Sequence, residues 1–429
     1  MEQYENVCLA VDDIYLPADG VDMSKWAVVA CDQYTSQPDY WNAVSRQVGS
    51  SPSTLELILP ELYLEQPDVD DRIAKIHAAM QADLQAGCLE CCPDALIYVE
   101  RIQSDGRCRQ GLIGKLDLEQ YDYAKGSTSP VRATEATVLE RIPPRKKVRQ
   151  GAPLELPHIM ILIDDIRRSV IEPLGAQKDS MQKLYDFDLM QGGGHLTGYL
   201  IPADMQQQVL GALDALADPE AFAEKYGLAP GTPVLQYAMG DGNHSLATAK
   251  ACYEQLKAEH PGEDLSAHPA RYALVELVNL HSDALQFEAI HRIVTGVDPA
   301  DLMQQLQQAL QLTEGAQADC QCFTWIQGEN RGRVAVHAPA SKLTVGSLQQ
   351  FLDGYLAAHP GAKIDYIHGT DVVEQLAAAP DAIGFLLPDM GKEELFPTVI
   401  GDGALPRKTF SMGHAADKRF YMECRRITR

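Results

Sequence analysis

A run of side chains that can exchange protons and form hydrogen bonds stands between residues 240 and 245. The run consists of Gly240, Asp241, Gly242, Asn243, His244 and Ser245. Carboxylate, imidazole and hydroxyl groups placed side by side can act as general acids and bases. The two glycines permit backbone angles that other residues avoid. In the alternative interpretation, Asp241 or Asn243 only caps a helix and the glycines only turn the chain.

The segments on either side of this run are predicted to be a short strand and a helix. Residues 234–239 are mostly apolar, which indicates a buried strand. From Ser245 onward, apolar residues recur at spacings of three and four, and the predicted helix ends near Glu259. A helix start exposes unpaired N–H groups and a partial positive charge, so it attracts anions. The sequence therefore predicts an anion site at the start of this helix.

The run resembles the Asp-Gly-His-His-Arg signature of an uncharacterised family, domain of unknown function 1015 (DUF1015). Asp241, Gly242 and His244 match the signature, whereas Asn243 replaces its first histidine and Ser245 replaces its arginine. A related signature occurs in the ParB/sulfiredoxin superfamily, which includes free serine kinases. There it lies against nucleotide phosphates or a phosphorylated substrate. Loss of the arginine removes a bidentate phosphate ligand.

Glu135 and Thr137 resemble a second motif of the family, of the form His-Glu-x-Thr, with Thr134 in place of the histidine. A carboxylate beside hydroxyl groups suits metal–phosphate coordination or general base catalysis. The alternative is a helix cap with a glutamate in the first turn.

Two later segments resemble further family motifs and keep the family's order along the chain. His291 and Arg292 match the end of a Pro-Thr-His-Arg-like motif, and Leu405 to Thr409 fit a Leu-Pro-x-Lys-Ser-Thr-like motif. These residues offer charge and hydrogen bonds to a phosphate, with Lys408 supplying a cation. The alternatives are a surface His-Arg pair that closes a domain and a tail that merely docks.

The resemblance implies a small-molecule kinase or phosphotransferase that binds a nucleotide, ATP or ADP, or a phosphorylated ligand, together with Mg²⁺. It makes Asp241, His244 and Glu135 the catalytic candidates, with Asp241 as base or metal ligand. The ligand-binding candidates are Gly240, Gly242, Asn243, Ser245, Thr137, His291, Arg292, Lys408 and Thr409. One alternative is a non-catalytic nucleotide-binding regulatory protein, as in the ParB branch of the superfamily. Another is a scaffold that has lost the site, and the metal ligands are left open.

Three further segments carry candidate pocket residues. Arg141 and Arg149 stand in a basic run that lines an anion pocket or forms a solvated helix face. Residues 32–34 lie in a loop that follows a strand, where they line a pocket or pack under the core. Asp164 and Asp165 end a buried strand, a favoured place for ligands such as magnesium, and are otherwise plain loop acids.

Composition limits the classes of partner. The chain has 429 residues and a net charge of −24, so its surface repels nucleic acid and anionic lipid. No apolar run approaches the length of a membrane span, and residues 1–5 are acidic and polar. We therefore expect a cytoplasmic protein with a small-molecule ligand, no nucleic-acid partner, no membrane and reduced cysteines. The oligomeric state is left open.

Alternating strand and helix patterns predict a mixed α/β (α+β) fold. The resemblance implies a mixed sheet core of the ParB/sulfiredoxin-like type, with insertions, in a domain that spans residues 1–296. A second, smaller α+β domain is predicted over residues 297–429, with its tail returning to the site.

Overall fold

The computed structural model describes residues 7–429. The acidic and polar residues 1–5 lie outside the described residues. Within residues 7–429, no helix is both long enough and apolar enough to cross a membrane. The ten cysteines are all free thiols in this structure.

Strands and helices are numbered along the chain. The strands are Leu9–Ala10 (β1), Asp12–Pro17 (β2), Val28–Val29 (β3), Leu89–Ala95 (β4), Ile97–Ile102 (β5), Cys108–Asp117 (β6), Tyr121–Asp122 (β7), Val131–Arg132 (β8), Leu154–Glu155 (β9), Met160–Ile163 (β10), Gln182–Asp188 (β11), His195–Leu200 (β12), Tyr237–Asp241 (β13), Tyr272–Asn279 (β14), Phe287–Ala289 (β15), His291–Thr295 (β16), Leu312–Glu314 (β17), Gln321–Gln327 (β18), Asn330–Val336 (β19), Lys363–Ile367 (β20), Ala382–Leu386 (β21), Phe410–Met412 (β22), Phe420–Tyr421 (β23) and Arg425–Arg426 (β24). The α-helices are Met23–Trp26 (α1), Pro38–Val48 (α2), Val69–Ala86 (α3), Ile142–Arg149 (α4), Glu172–Gln177 (α5), Ala203–Leu216 (α6), Pro219–Tyr226 (α7), Asn243–Glu259 (α8), Pro299–Leu310 (α9), Thr344–Ala358 (α10), Thr370–Leu376 (α11) and Leu395–Asp402 (α12).

Contacts divide the chain into two compact units. The first holds the residues up to Ala133, Thr137–Leu285 and Gly413–Arg429, and the second holds Thr134–Ala136 and Gln286–Met412. The fold is mixed α+β, as the sequence predicted. The predicted division into domains between residues 296 and 297 stays a prediction; residues 286–296 pack with the second compact unit.

A large mixed sheet forms the centre of the first unit. Ten strands of the described chain belong to it, in the order β11-β12-β5-β6-β14-β10-β13-β8-β7, with β1 paired to β6. Strands β10 and β14 run parallel, whereas β13 runs antiparallel to β10. Met160 of β10 pairs with Glu276 on one side and Asp241 on the other. The acidic end of β13 therefore lies at the level of the start of β10.

The strand–glycine–helix junction has the predicted form. Strand β13 ends at Asp241, Gly242 adopts a left-handed conformation with φ of 76°, and α8 starts at Asn243 and ends at Glu259, as predicted. Gly240 lies within the strand. Helix α8 packs on the sheet through Leu246 and other apolar residues of one face. The helix begins two residues before the apolar pattern does, because its first turn carries only polar side chains.

Position 242 requires a glycine for two reasons, its positive φ and the close approach of the Ile159 backbone. A Cβ atom at this position would lie 3.1 Å from the Cα atom of Ile159. Gly227, at the end of α7, has a similar φ of 63° but open space around it. We expect Gly242→Ala to lower the free energy of unfolding by about 2 kcal/mol, and Gly227→Ala by about 1 kcal/mol, in urea titrations. Equal losses in the two variants would show that the approach to Ile159 imposes no cost.

The second unit contains an antiparallel sheet of its own. Among the described residues, its six strands follow the order β17-β19-β18-β21-β16-β20, and β15 pairs separately with β22. Ile293, Ile326 and Ala382 belong to its buried core. Residues 134–136 join this unit through Thr134, whose carbonyl oxygen accepts a hydrogen bond of 2.7 Å from the backbone nitrogen of Leu405.

The segment Gly413–Arg429 is integrated into the first unit. Strand β23 pairs with β3, and β24 pairs with β9. Between these strands and the large sheet lies a buried charged network around Glu276. Its carboxylate lies 3.2 Å from Arg109 and 2.8 Å from Arg419, and Arg419 also pairs with Glu423. The last residues of the chain are therefore part of the core of this unit.

Candidate functional site

Asp241, the last residue of β13, forms an ion pair at the start of α8. One carboxylate oxygen accepts a hydrogen bond of 2.8 Å from the backbone nitrogen of Gly242, and the other lies 3.0 Å from Nζ of Lys418. The Lys418 side chain is 14% exposed and that of Asp241 is 26% exposed. Burial acts to raise the pKa of Asp241, but Lys418 and His158 outweigh it, so the pKa lies below its usual value. Asp241 is therefore an ionised carboxylate with a fixed cation beside it.

The N-terminus of α8 has no side-chain cap. Gly242 is the capping residue, and neither Asp241 nor Asn243 caps the helix in its place. The first turn of a helix presents N–H groups that have no partner within the helix. The side-chain oxygen of Asn243 is buried and has no hydrogen-bond partner among the described residues. This helix start thus combines donors, a cation at Lys418 and one unused acceptor.

A second group of polar side chains surrounds His158, which precedes β10. Its Nδ1 lies 2.7 Å from the hydroxyl oxygen of Tyr421, and its Nε2 lies 3.1 Å from Oγ of Ser245. The carboxylate of Asp32 is 3.7 Å from the same Nε2. The backbone nitrogen of Cys31 donates a hydrogen bond of 3.1 Å to the Tyr421 oxygen. His158 is therefore held in place by contacts to both of its ring nitrogens.

A cavity of about 150 Å³ opens beside this histidine. Ser245 and Thr248 of α8 line it together with His158 and Tyr421. Much of the remaining wall is apolar and comes from Leu57, Ile58, Leu59, Leu64, Met80, Val148, Ala152, Leu154, Leu156 and Ile159. The volume is smaller than the roughly 300–1,000 Å³ of a cleft for a drug-sized ligand. The cavity therefore suits one small group of a ligand.

The basic residues of α4 reach this cavity, but their charges are paired. Arg145 forms an ion pair with Glu61, and Arg149 forms one of 2.5 Å with Glu155. All four residues line the cavity. Arg141, the other candidate of the basic run, is exposed. The cavity wall therefore carries little net charge.

In the second unit, the predicted residues Glu135 and Lys408 are in contact. The backbone nitrogen of Lys408 donates a hydrogen bond of 3.2 Å to the carboxylate of Glu135. Lys408 has a positive φ of 57°, which is rare outside glycine. Thr409 donates from its hydroxyl group to the carbonyl oxygen of Pro406 at 2.6 Å. These contacts fix the shape of the segment that carries Lys408.

Arg292 is fully buried and binds the backbone of this same segment. Its guanidinium group donates to the carbonyl oxygen of Lys408 at 2.8 Å, to that of Arg407 at 3.0 Å and to the side chain of Gln349 at 3.1 Å. It also lies over the ring of Tyr366. Burial lowers the pKa of Arg292 to about 10. The neighbouring His291 accepts a hydrogen bond from the backbone, and burial lowers its pKa as well.

Replacement of Arg292 tests whether it stabilises the second unit. We expect Arg292→Met to lower the free energy of unfolding by about 2 kcal/mol, because partly buried carbonyl oxygens lose their donors. Arg331 forms an exposed ion pair with Glu374 in the same unit. Arg331→Met should therefore cost less than about 1 kcal/mol in the same urea titration. A loss for Arg292→Met no greater than that of Arg331→Met would rule out this stabilising role.

The predicted site residues thus fall into two groups, one in each unit. The first unit holds Thr137, Gly240, Asp241, Gly242, Asn243, His244 and Ser245, and the second holds Glu135, His291, Arg292, Lys408 and Thr409. The hydroxyl oxygen of Thr137 is buried without a hydrogen-bond partner among the described residues. The predicted catalytic and ligand-binding roles of all these residues stay predictions.

Sequence reasoning missed three residues that the structure places beside the helix start. Lys418 and Tyr421 belong to the final segment of the chain, and His158 precedes a buried strand. Their partners are far away in sequence: Lys418 pairs with Asp241, and His158 contacts Ser245 and Tyr421. No local spacing pattern could have indicated these contacts.

The candidate magnesium ligands at the end of β10 have partners within the protein. Asp164 lies 2.6 Å from Nε2 of His281 and 2.9 Å from Nζ of Lys225, and Asp165 accepts a hydrogen bond of 3.0 Å from the backbone of Val170. Over residues 7–429, no group of three or more His, Cys, Asp or Glu side chains is arranged to hold a metal ion. The involvement of Mg²⁺ stays a prediction.

Comparison with known proteins gives one family match. The family model described as a protein of unknown function, DUF1015, matches residues 15–355. No curated protein sequence is significantly similar to the chain.

Several solved structures resemble the fold at low identity. A free serine kinase in complex with AMP is 12% identical, with 72% of this chain and 92% of that chain covered and a TM-score of 0.38. SbnI from Staphylococcus aureus, truncated at its C-terminus, is 11% identical, with 70% and 82% covered and a TM-score of 0.35. A conserved hypothetical protein from Pyrococcus furiosus is 12% identical, with 72% and 95% covered and a TM-score of 0.36. These values are too low to transfer a ligand or an activity.

Proposed function

The chain belongs to the DUF1015 family of proteins of unknown function, and we propose that it is a small-molecule phosphotransferase. In this proposal, the phosphate of a nucleotide or of a phosphorylated ligand binds at the start of α8. The observation that supports it most is the uncapped helix start with Lys418 fixed 3.0 Å from Asp241. N–H groups that have no partner within the helix, together with a neighbouring ammonium group, favour an anion with several oxygen atoms.

Phosphoryl transfer depends mainly on positioning and on neutralising the charge of the phosphate. Here Lys418 and the N–H groups of the first turn of α8 neutralise that charge. Asp241, which is ionised, orients an acceptor hydroxyl group and takes its proton. The unused side-chain oxygen of Asn243 accepts a hydrogen bond from a hydroxyl or amino group of the ligand. Magnesium, the metal that the family resemblance implies, would add to the neutralisation of the phosphate.

A thermal-shift screen tests this proposal. The protein is heated with ATP, ADP, free amino acids or phosphorylated metabolites, with and without Mg²⁺, and product formation is assayed in parallel. A ligand present at 100 times its Kd stabilises the folded state by about 2.7 kcal/mol. A shift with turnover supports a phosphotransferase, and a shift without turnover supports the alternative, a nucleotide-binding regulatory protein.

Two variants locate the site. Asp241→Ala should change the shift, because it removes the carboxylate that fixes Lys418. Asp204→Ala should leave the shift unchanged, because Asp204 is an exposed aspartate in the first turn of a different helix, α6. No shift with any phosphorylated ligand, or the same shift in Asp241→Ala as in the wild type, would contradict phosphate binding at α8.

A further inference from the structure

One of the two residues at which this chain departs from the family signature lies against a histidine. Ser245 stands where the signature has an arginine, and its Oγ lies 3.1 Å from Nε2 of His158. The other ring nitrogen of His158 lies 2.7 Å from the Tyr421 hydroxyl oxygen, which the backbone of Cys31 also contacts. The carboxylate of Asp32 lies 3.7 Å from the same Nε2.

These contacts are those of an activated nucleophile. A serine hydroxyl becomes nucleophilic when a base lies within hydrogen-bond reach and a third group orients that base. When Nδ1 of His158 carries the hydrogen atom and donates it to Tyr421, Nε2 is free to accept the proton of Ser245. Ser245 is the third residue of α8. The N–H groups of that first turn, together with the helix dipole, can stabilise an oxyanion that forms beside Ser245.

The cavity that Ser245 and His158 share indicates the class of substrate. Its arginines are paired with glutamates, so it offers no free charge to an anion, and much of its wall is apolar. Its volume is about 150 Å³, and an apolar cavity of roughly that size holds a molecule such as benzene. The occupant that fits is a short, uncharged hydrocarbon group.

We propose that Ser245 is the nucleophile, and His158 the general base, for hydrolysis of esters whose acyl group is a short hydrocarbon chain. Ser245 Oγ attacks the ester carbonyl carbon, and His158 Nε2 takes the hydroxyl proton. The bond to the leaving oxygen breaks, and His158 returns the proton to the alcohol. Water then attacks the acyl carbon and gives one proton to His158, which passes it to Ser245 Oγ as that bond breaks. The products are a carboxylic acid and an alcohol.

This activity does not depend on phosphate binding at the helix start, and its test is separate. The purified full chain is assayed with p-nitrophenyl butyrate and, in parallel, is treated with an alkyl fluorophosphonate and digested with trypsin for mass spectrometry. We expect hydrolysis above the buffer rate and a fluorophosphonate adduct on Ser245. Absence of hydrolysis, or an adduct only on other residues, would overturn the proposal, whatever the result of the nucleotide screen.

Variants separate catalysis from folding. Ser245→Ala and His158→Gln are each expected to lower kcat/KM by at least about 100-fold, with an unchanged Tm for Ser245→Ala. Ser180→Ala should retain full activity, because Ser180 is exposed and donates its hydroxyl hydrogen to the backbone of its own turn. Tyr421 is a positioning residue, and Tyr421→Phe is expected to lower kcat about tenfold, the effect of one hydrogen bond. KM should stay unchanged, because the phenylalanine ring keeps the cavity wall and the hydrogen bond to His158 is lost. Undiminished hydrolysis by Ser245→Ala would overturn the proposal.

Discussion

Replacing Glu276 by glutamine is expected to lower the free energy of unfolding by about 3–5 kcal/mol. The side chains of Glu276, Arg109 and Arg419 are all less than 10% exposed, and the single carboxylate faces both guanidinium groups. Without its charge, the two arginines stay buried with too little negative charge around them. Urea titration at neutral pH measures the loss. The matched control is Glu254→Gln: the Glu254 side chain is 46% exposed and pairs with Lys250 and Lys257, so its replacement should cost less than about 1 kcal/mol.

The loss of stability in Glu276→Gln is expected to depend on pH. Burial acts to raise the pKa of Glu276, but the lowering by Arg109 and Arg419 is larger. The pKa of Glu276 in the folded state therefore lies below its pKa in the unfolded state. Stabilisation by Glu276 is therefore complete above the unfolded pKa and is lost as pH falls through the folded pKa. The gap between wild type and Glu276→Gln should be constant above about pH 5 and should shrink below it. A gap that widens on acidification would contradict an ionised Glu276 in the folded protein.

The second large effect is expected on the affinity for ADP when Lys418 is replaced. If a phosphate binds at the start of α8, Lys418→Met removes the cation beside it and leaves Asp241 as an unbalanced negative charge. A charge-assisted hydrogen bond contributes about 1.5–3 kcal/mol, so the Kd for ADP should rise by about 10- to 100-fold. Isothermal titration calorimetry measures the change. Lys183→Met provides the control, because Lys183 forms an exposed pair with Asp186. An equal Kd in both variants would remove Lys418 from the site.

Local sequence signals were sufficient for the junction at the centre of the site. An apolar run predicts the strand, a glycine-rich turn follows it, and apolar spacing predicts α8. These features depend on neighbours in sequence. The structure confirms the strand and the helix, but the strand spans Tyr237–Asp241 instead of residues 234–239, so Gly240 and Asp241 belong to the strand and not to the turn. Lys418, Tyr421 and His158 could not be found in this way, because their positions depend on the pairing of β23 with β3 and on the order of strands in the large sheet.

Residue type alone predicted the role of a side chain less well than local sequence signals predicted the strand and the helix. Arg292 and its neighbour His291 suggested a phosphate site, but the guanidinium donors of Arg292 bind backbone carbonyl groups in a buried position. Ser245 looked like the loss of a phosphate ligand, because serine replaces the arginine of the family signature. In the structure its hydroxyl group has a specific partner in His158. A sequence shows which groups are present, whereas burial and pairing decide which of them face a ligand.

A crystal structure of the protein grown with ADP and Mg²⁺ is the sharpest test of whether the start of α8 holds a phosphate group. We predict phosphate oxygens within hydrogen-bond distance of the backbone nitrogens in the first turn of α8, with Lys418 in contact with the same group. ADP bound elsewhere, or crystals grown at saturating ADP in which the start of α8 holds no phosphate, would disprove phosphate binding at this helix.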